Sequence, residues 1–193
     1  AHSDIDAQAL ERLQAQGGVF SANRPKGAIP GEAAAVLLLA PASWPADPQA
    51  DAPKPHLHRA AAAQRDKSID APGPQAHALA PQLIAQALAA AQLGKDDIGA
   101  IANDADQHTA RGAELFAAML GELPQLDAAD DMRMVGQLCG NIGACATLMT
   151  AAMAAQQAIV TDKPCLALSL RDAQWRAALV ARPAAPPTQA SSA

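Results

Sequence analysis

The side chains able to do chemistry in this 193-residue chain gather in two short stretches. The first is Asn103-Asp104-Ala105-Asp106-Gln107-His108-Thr109. It follows an apolar run and precedes a helical pattern, which places it at the carboxyl end of a strand, where open α/β sheets meet their ligands. Asp104, Asp106 and His108 alternate, an arrangement that can offer oxygen and nitrogen to a metal. The plainer reading is that Asp106 or Thr109 caps the following helix while His108 faces solvent. The second stretch is Cys139-Gly140-Asn141-Ile142-Gly143-Ala144-Cys145, a turn into an Ala-rich helix. A cysteine at a helix amino terminus has its thiolate stabilised by the dipole, and the Asn141 amide can orient a carbonyl or a water. The plainer reading makes both cysteines small core residues and Asn141 an N-cap.

Two weaker features complete the inventory. His56 and His58 stand two apart on a candidate strand, so they share a face and can chelate a metal. No cysteine, third histidine or fitting carboxylate accompanies them in the sequence, which favours a half-exposed strand face. Glu32, after Gly31, puts a carboxylate at a sheet end, a place where a lone Glu usually binds backbone. No phosphate loop, nucleotide fingerprint, Gly-x-Ser-x-Gly elbow or zinc spacing occurs. No metal or cofactor is therefore expected.

These groups need elements to hold them. Asp4 to Gln16 reads as a short helix stopped by Gly17-Gly18, and Val19 to Glu32 as an ordered loop. The continuous apolar run Ala33 to Ala40 predicts a buried strand. Pro41 to Pro55 is a Pro-rich connection with Trp44 as its one bulky anchor, and His56 to Ala63 is a second strand. Gln75 to Leu93 has helical periodicity, regular from about Pro81 and stopped at Gly94. Ile98 to Asn103 predicts a strand, Thr109 to Leu120 a helix capped by Thr109, Met132 to Leu138 a strand, and Asn141 to Ala158 a small-residue helix. Cys165 to Leu170 and Trp175 to Ala181 form a hairpin around Arg171-Asp172-Ala173. Residues 183–193 read as a Pro/Ala/Ser-rich disordered tail. Helices alternating with short apolar strands predict an α/β layered fold, a mixed sheet of about five strands covered by helices.

Composition narrows the function classes. Half the residues are apolar, yet aromatics are 2%, with no Tyr. The core must therefore be built of Ala, Leu, Val, Ile and Met. The net charge of −5 leaves no basic footprint for nucleic acid or an anionic membrane, and no aromatic platform exists for stacking bases. No apolar stretch approaches the ~20 residues needed to span a bilayer. Three cysteines without a CxxC spacing point to free thiols in a reducing compartment. Opening on Ala1 without Met leaves room for a segment upstream. These features predict a soluble, cytoplasmic, bacterial-type chain.

Three segments also carry a resemblance. Arg24 to Leu39 (RPKGAIPGEAAAVLLL) is similar to the loop of ketoacyl synthases, in the thiolase-like superfamily, that ends in Gly-Glu-Gly-Ala and enters an apolar strand, with Ala33 at the middle glycine. Asp96 to Glu114 resembles that family's block of Asp-Ile, strand, His-Gly-Thr and Glu, and Gly140 to Ala146 resembles its Gly-His…Gly-Ala-Ala-Gly turn. The likeness runs through residues 1–182 and implies the C-terminal half of a thiolase-like fold.

In that family a Cys nucleophile from the first half takes an acyl group from a carrier thioester, and two His, or a His and an Asn, stabilise the developing charge. Here Asn103 or Asp104 stands at the first His position, or Asp106 by comparison with initiating synthases, and Asn141 stands at the second. An Asp replaces a neutral imidazole as donor only when protonated. The resemblance thus implies a ketoacyl synthase-like protein without normal condensing activity, a structural or partner-binding relative. Its partners would be an acyl carrier protein, another chain or the missing N-terminal half, and the family suggests homodimers. The alternative is an acyltransferase or condensing enzyme of altered mechanism, a 3-oxoacyl synthase relative in fatty acid or polyketide biosynthesis. Asn141 would then take an oxyanion role, with Asp104, Asp106 or His108 as acid/base. A third reading is an unrelated α/β ligand-binding module.

Overall fold

The computed structural model describes residues 1–41, 44, 54–74 and 78–183. Strands β1 (His2–Ser3) and β2 (Glu32–Ala33) form an antiparallel pair. Between them lies helix α1 (Ala7–Ala15), whose N-cap Asp6 accepts the Ala9 amide at 2.9 Å. The main sheet has six strands, β3 (His56–Leu57), β4 (Ala61–Gln64), β5 (Ala100–Asn103), β6 (Met132–Met134), β7 (Cys165–Ser169) and β8 (Trp175–Arg182). Its order is β3-β8-β7-β5-β6, with β4 also on β8. β5 runs parallel to β6 and β7, whereas β8 is antiparallel to β7, β3 and β4. The protein is thus α/β with an open mixed sheet, as composition and periodicity indicated.

Side chains alternate across this sheet, and the two faces differ in size. Ile101, Leu166, Leu168, Ala178 and Val180 face helices α2 (Leu79–Ala91) and α3 (Thr109–Glu122), packing against Leu83, Ile84, Leu88 and Leu115. Ala100, Ala102, Cys165, Ala167 and Ala181 face helix α5 (Cys145–Thr161), which answers with Ala154 and Ala158. Small residues on both partners give the helix a close seat, so the Ala-rich composition is a packing device on one face of the sheet.

Several expectations need correction. Ala33 to Ala40 is not a buried strand: only Glu32–Ala33 pairs, and Val36 and Leu38 are 92% and 97% exposed. A strand is buried only if both its faces are covered, and here Ala33 and Ala35 pack on the cluster of Val135, Ile142, Cys145 and Ala146 while Val36 and Leu38 stay exposed. The stretch from His56 is two short strands, broken at His58-Arg59-Ala60. Met132 to Leu138 is a strand only to Met134; Val135–Cys139 turns into the short helix α4, where Gly136 passes so close to Asp104 and Ala105 that a β-carbon would overlap their carbonyls. α5 begins at Cys145 because the chain first turns through Gly140 and Gly143, both at positive φ. The left-handed stop of α2 is Gln92, not Gly94, since Gly94 is needed as the cap of a following turn of 3-10 helix. Trp44 is exposed, not a buried anchor. The expected tail lies outside the described residues except for Pro183, as does most of the connection from Pro41 to Pro55.

Candidate functional site

β5 and β7 are parallel neighbours, so their carboxyl ends open side by side. From these ends leave the loop Asp104–His108, which enters α3, and the turn Leu170–Gln174, which enters β8. The turn before α5 and the loop ending in Gly31 close against them. Pro30 bridges to Asn141, the Asn141 amide donates to the Ile29 carbonyl at 2.6 Å, and a β-carbon on Gly31 would overlap the Cys139 carbonyl. The structure therefore brings Asn103, Asp104, Asp106 and His108 together with Asn141, more than thirty positions later in the sequence, at one end of the sheet.

Asp104 is fully buried. Its Oδ1 accepts the backbone amides of Leu170 at 2.5 Å and Arg171 at 3.0 Å, and its Oδ2 accepts the hydroxyls of Ser169 at 2.6 Å and Thr147 at 3.4 Å. Burial pushes its carboxyl above the usual carboxylate range, against the pull of those hydrogen bonds and of Arg171. Every one of these contacts uses the carboxyl as an acceptor. Asp104 is thereby the clasp that joins the end of β5 to the end of β7.

Asn103 is also buried. Its Oδ1 accepts the Ala105 amide at 3.1 Å and its Nδ2 donates to the Arg133 carbonyl at 3.3 Å, which shapes the turn out of β5. Asp106 accepts the His108 amide at 3.0 Å and a guanidinium hydrogen bond from Arg111 at 2.8 Å, with Arg171 at 3.6 Å. His108, not Thr109, is the N-cap of α3: its Nδ1 accepts the Ala110 amide at 3.2 Å. It is buried rather than solvent-facing, and its Nε2 lies 3.2 Å from Asp70 Oδ1. Burial and then Arg111 hold its pKa below the ordinary value, with Lys26 adding to them and Asp70 and Asp106 opposing. A neutral ring with Nδ1 as acceptor carries its proton on Nε2, which lies near Asp70 but makes no hydrogen bond to it.

Asn141 is not an N-cap; Ala144 holds that place. Its Nδ2 donates to Asp4 Oδ2 at 2.6 Å, and its Oδ1 accepts from Gly143 N at 3.3 Å and from Arg171 Nη2. His2 lies 3.1 Å from the same Asp4 oxygen. A continuous polar chain thus runs His2, Asp4, Asn141, Arg171, Asp106, Arg111. Arg171, Arg111, Asp4, Ser169 and Thr147 were not singled out from sequence. The signal for Arg171 was a charged residue at the carboxyl end of an apolar strand, the same criterion that picked out Asp104.

The other candidates lie apart. Cys145 is the first residue of α5 and is buried among Val135, Ile142 and Ala146, its thiol directed at the Ala33 carbonyl at 3.5 Å. Cys139 is half-buried at the end of α4, and burial pushes the Cys165 thiol up to about 12. All three are free thiols. His56 is exposed and His58 half-buried, its pKa lowered by burial and by Arg182 and His56. Glu32 binds the Ser3 hydroxyl at 2.6 Å rather than backbone. Among the described residues no group of three or more His, Cys, Asp or Glu is placed to hold a metal, and no helix is long and apolar enough to cross a membrane. A surface cavity of about 650 Å³, lined by Gly17, Gly18, Arg24 and Lys26 among others, includes none of the site residues.

Behind the site sits a second polar cluster. Glu114 of α3 is fully buried and accepts from Arg176 Nε at 3.0–3.1 Å and Nη2 at 3.0 Å, and from Arg65 Nη1 at 2.9 Å. It ties α3 to the antiparallel pair of β4 and β8. Set beside known proteins, the chain matches no protein-family model and no curated protein.

Proposed function

We propose that this chain is the C-terminal half of a ketoacyl synthase-like fold that no longer carries out condensation and serves as a structural, partner-binding relative, working in the cytoplasm. One observation carries this reading. The groups standing where the resemblance puts catalytic imidazoles are consumed by the fold. Asn103 and Asp104 have no exposed surface, and Asp104 spends its oxygens on two backbone amides and two hydroxyls. Asn141 has both ends of its amide engaged, by Asp4 and by Arg171. An oxyanion stabiliser needs donors directed at the point where charge develops, whereas the Asn141 amide donates to the Asp4 carboxylate and the Asn103 amide to the Arg133 carbonyl. Intact mass measurement after incubation with an acyl-pantetheine thioester tests the reading. The expected result is no covalent acyl adduct and no thiol release above the buffer rate. An adduct with turnover that is lost in Asn141→Ala overturns it in favour of an acyltransferase.

A further inference from the structure

We propose that the cavity at the end of α1 is a binding site for a small phosphate monoester, gripped by Arg24 and Lys26. The cavity measures about 650 Å³, within the range of small-molecule sites, and shares no residue with the polar chain at the sheet end. A ligand there is independent of whether condensation is lost. Charge makes the site stand out. From Arg12 to Gly31 the sequence holds three cations, Arg12, Arg24 and Lys26, and no Asp or Glu, in a chain of net charge −5. Arg65, Lys95, Arg111, Arg171 and Arg176 are each spent on a carboxylate. Among the described residues, the side chains of Arg24 and Lys26 meet none, and both line the same cavity.

The loop that carries them is held in place. Arg24 donates to the Ser21 carbonyl at 2.9 Å and accepts from the Ser21 amide at 3.3 Å, and the Gly27 amide donates to the Arg24 carbonyl at 3.0 Å. The Arg24 guanidinium rests on Gly17, whose φ is +65°; a β-carbon there would lie 2.9 Å from Nη1. Gly27 passes as closely, since its β-carbon would come within 2.5 Å of the Val19 carbonyl. Carbonyls at the end of a helix repel an anion when they are free. Here those of Leu13 and Gln14 are taken by the amides of Gly18 at 2.7 Å and Gly17 at 2.9 Å.

Two unpaired cations match a dianion. A phosphate monoester carries close to two negative charges at neutral pH, and its oxygens suit the planar fork of an arginine. The walls, which include Gln16, Gly17, Gly18 and Gly27, present no aromatic or large aliphatic side chain. They suit a hydroxylated body such as glycerol or a sugar, not an apolar one. A protein of net charge −5 is repelled by an anionic lipid surface, so the phosphate is that of a free small molecule.

The test titrates glycerol 3-phosphate into the isotope-labelled protein at constant ionic strength, at a pH about 1.5 above the second phosphate pKa of about 6. The amide NMR signals of Gly17, Gly18, Lys26 and Gly27 are expected to shift together and saturate, with a dissociation constant of about 1 mM or tighter. Arg24→Gln and Lys26→Gln should each weaken binding at least ~10-fold, as expected for loss of a charge-assisted hydrogen bond. Dimethyl phosphate, a monoanion, should bind at least ~10-fold more weakly than the monoester. Lys163→Gln removes an equal charge at the opposite end of β5, beside Gly99, and should leave the affinity within about twofold. Unshifted Leu166 and Leu168 signals report an intact β7 in every variant. Shifts that do not saturate, or an affinity that either cavity variant leaves within about twofold, overturn the proposal. So does an equal loss in Lys163→Gln, which would mean attraction by overall charge, or dimethyl phosphate binding as tightly as the monoester.

Discussion

Arg171 donates a guanidinium hydrogen bond to the side-chain oxygen of Asn141, fastening the β7–β8 turn to the turn that opens α5. The other end of the same amide donates to Asp4, so the asparagine bridges a cation and an anion. A substrate carbonyl seeking the Asn141 N–H that Asp4 holds would have to compete with that carboxylate. Charge-assisted hydrogen bonds are the stronger ones, and this competition favours the carboxylate. The polar cluster at the sheet end therefore works as a joint between segments.

Asp104 is the centre of that joint. Asp104→Ala is expected to cost about 2–4 kcal/mol in urea unfolding, because each buried donor stripped of its acceptor costs about 1–3 kcal/mol. Asp104→Asn keeps an oxygen for the Leu170 and Arg171 amides, and the Ser169 hydroxyl can rotate to accept from its new amide. Its loss should be clearly smaller. Equal losses in the two variants would remove the clasp as an explanation.

His108 makes stability depend on pH. Its pKa in the folded protein lies below 6.5, the unfolded value, through burial first and then Arg111. Below that value the unfolded chain binds the proton first, so stability falls as pH drops from 6.5 through the folded pKa. Protonation also removes the Nδ1 acceptor that caps α3. His108→Asn keeps a capping oxygen and has no proton to gain. The melting temperature of the wild-type protein should drop more steeply between about pH 7 and pH 5 than that of the variant. Parallel curves would show that His108 contributes nothing to the dependence.

Glu114 holds two arginines in the interior. Glu114→Gln is expected to destabilise by about 3–5 kcal/mol, as expected when one partner of a buried ion pair is removed. Replacing Arg65, Glu114 and Arg176 together with leucine and methionine should recover most of that loss. Denaturant midpoints of the single and triple variants measure both effects. A triple variant as unstable as Glu114→Gln would mean that the cluster does more than balance its own charges.

The two kinds of information divided along a physical line. Hydrophobic period alone placed α2, α3, β5 and the β7–β8 hairpin, because each buries its own apolar stripe and announces it within a dozen residues. The same period misread Ala33 to Ala40, since burial of a strand depends on whether another layer lies above it. Local chemistry likewise marked Asp104, Asp106 and His108 at a strand end and Asn141 in a turn before a helix as residues of interest. What each does was decided by groups far away in the chain, Leu170 for Asp104, Asp4 for Asn141 and Asp70 for His108. A carboxylate or an amide has the same hydrogen-bonding capacity in any sequence, and only the tertiary structure selects the partner that meets it. The pairing of Glu114 with Arg65 and Arg176 carries no local signal, because two strands and a helix must assemble before those charges meet.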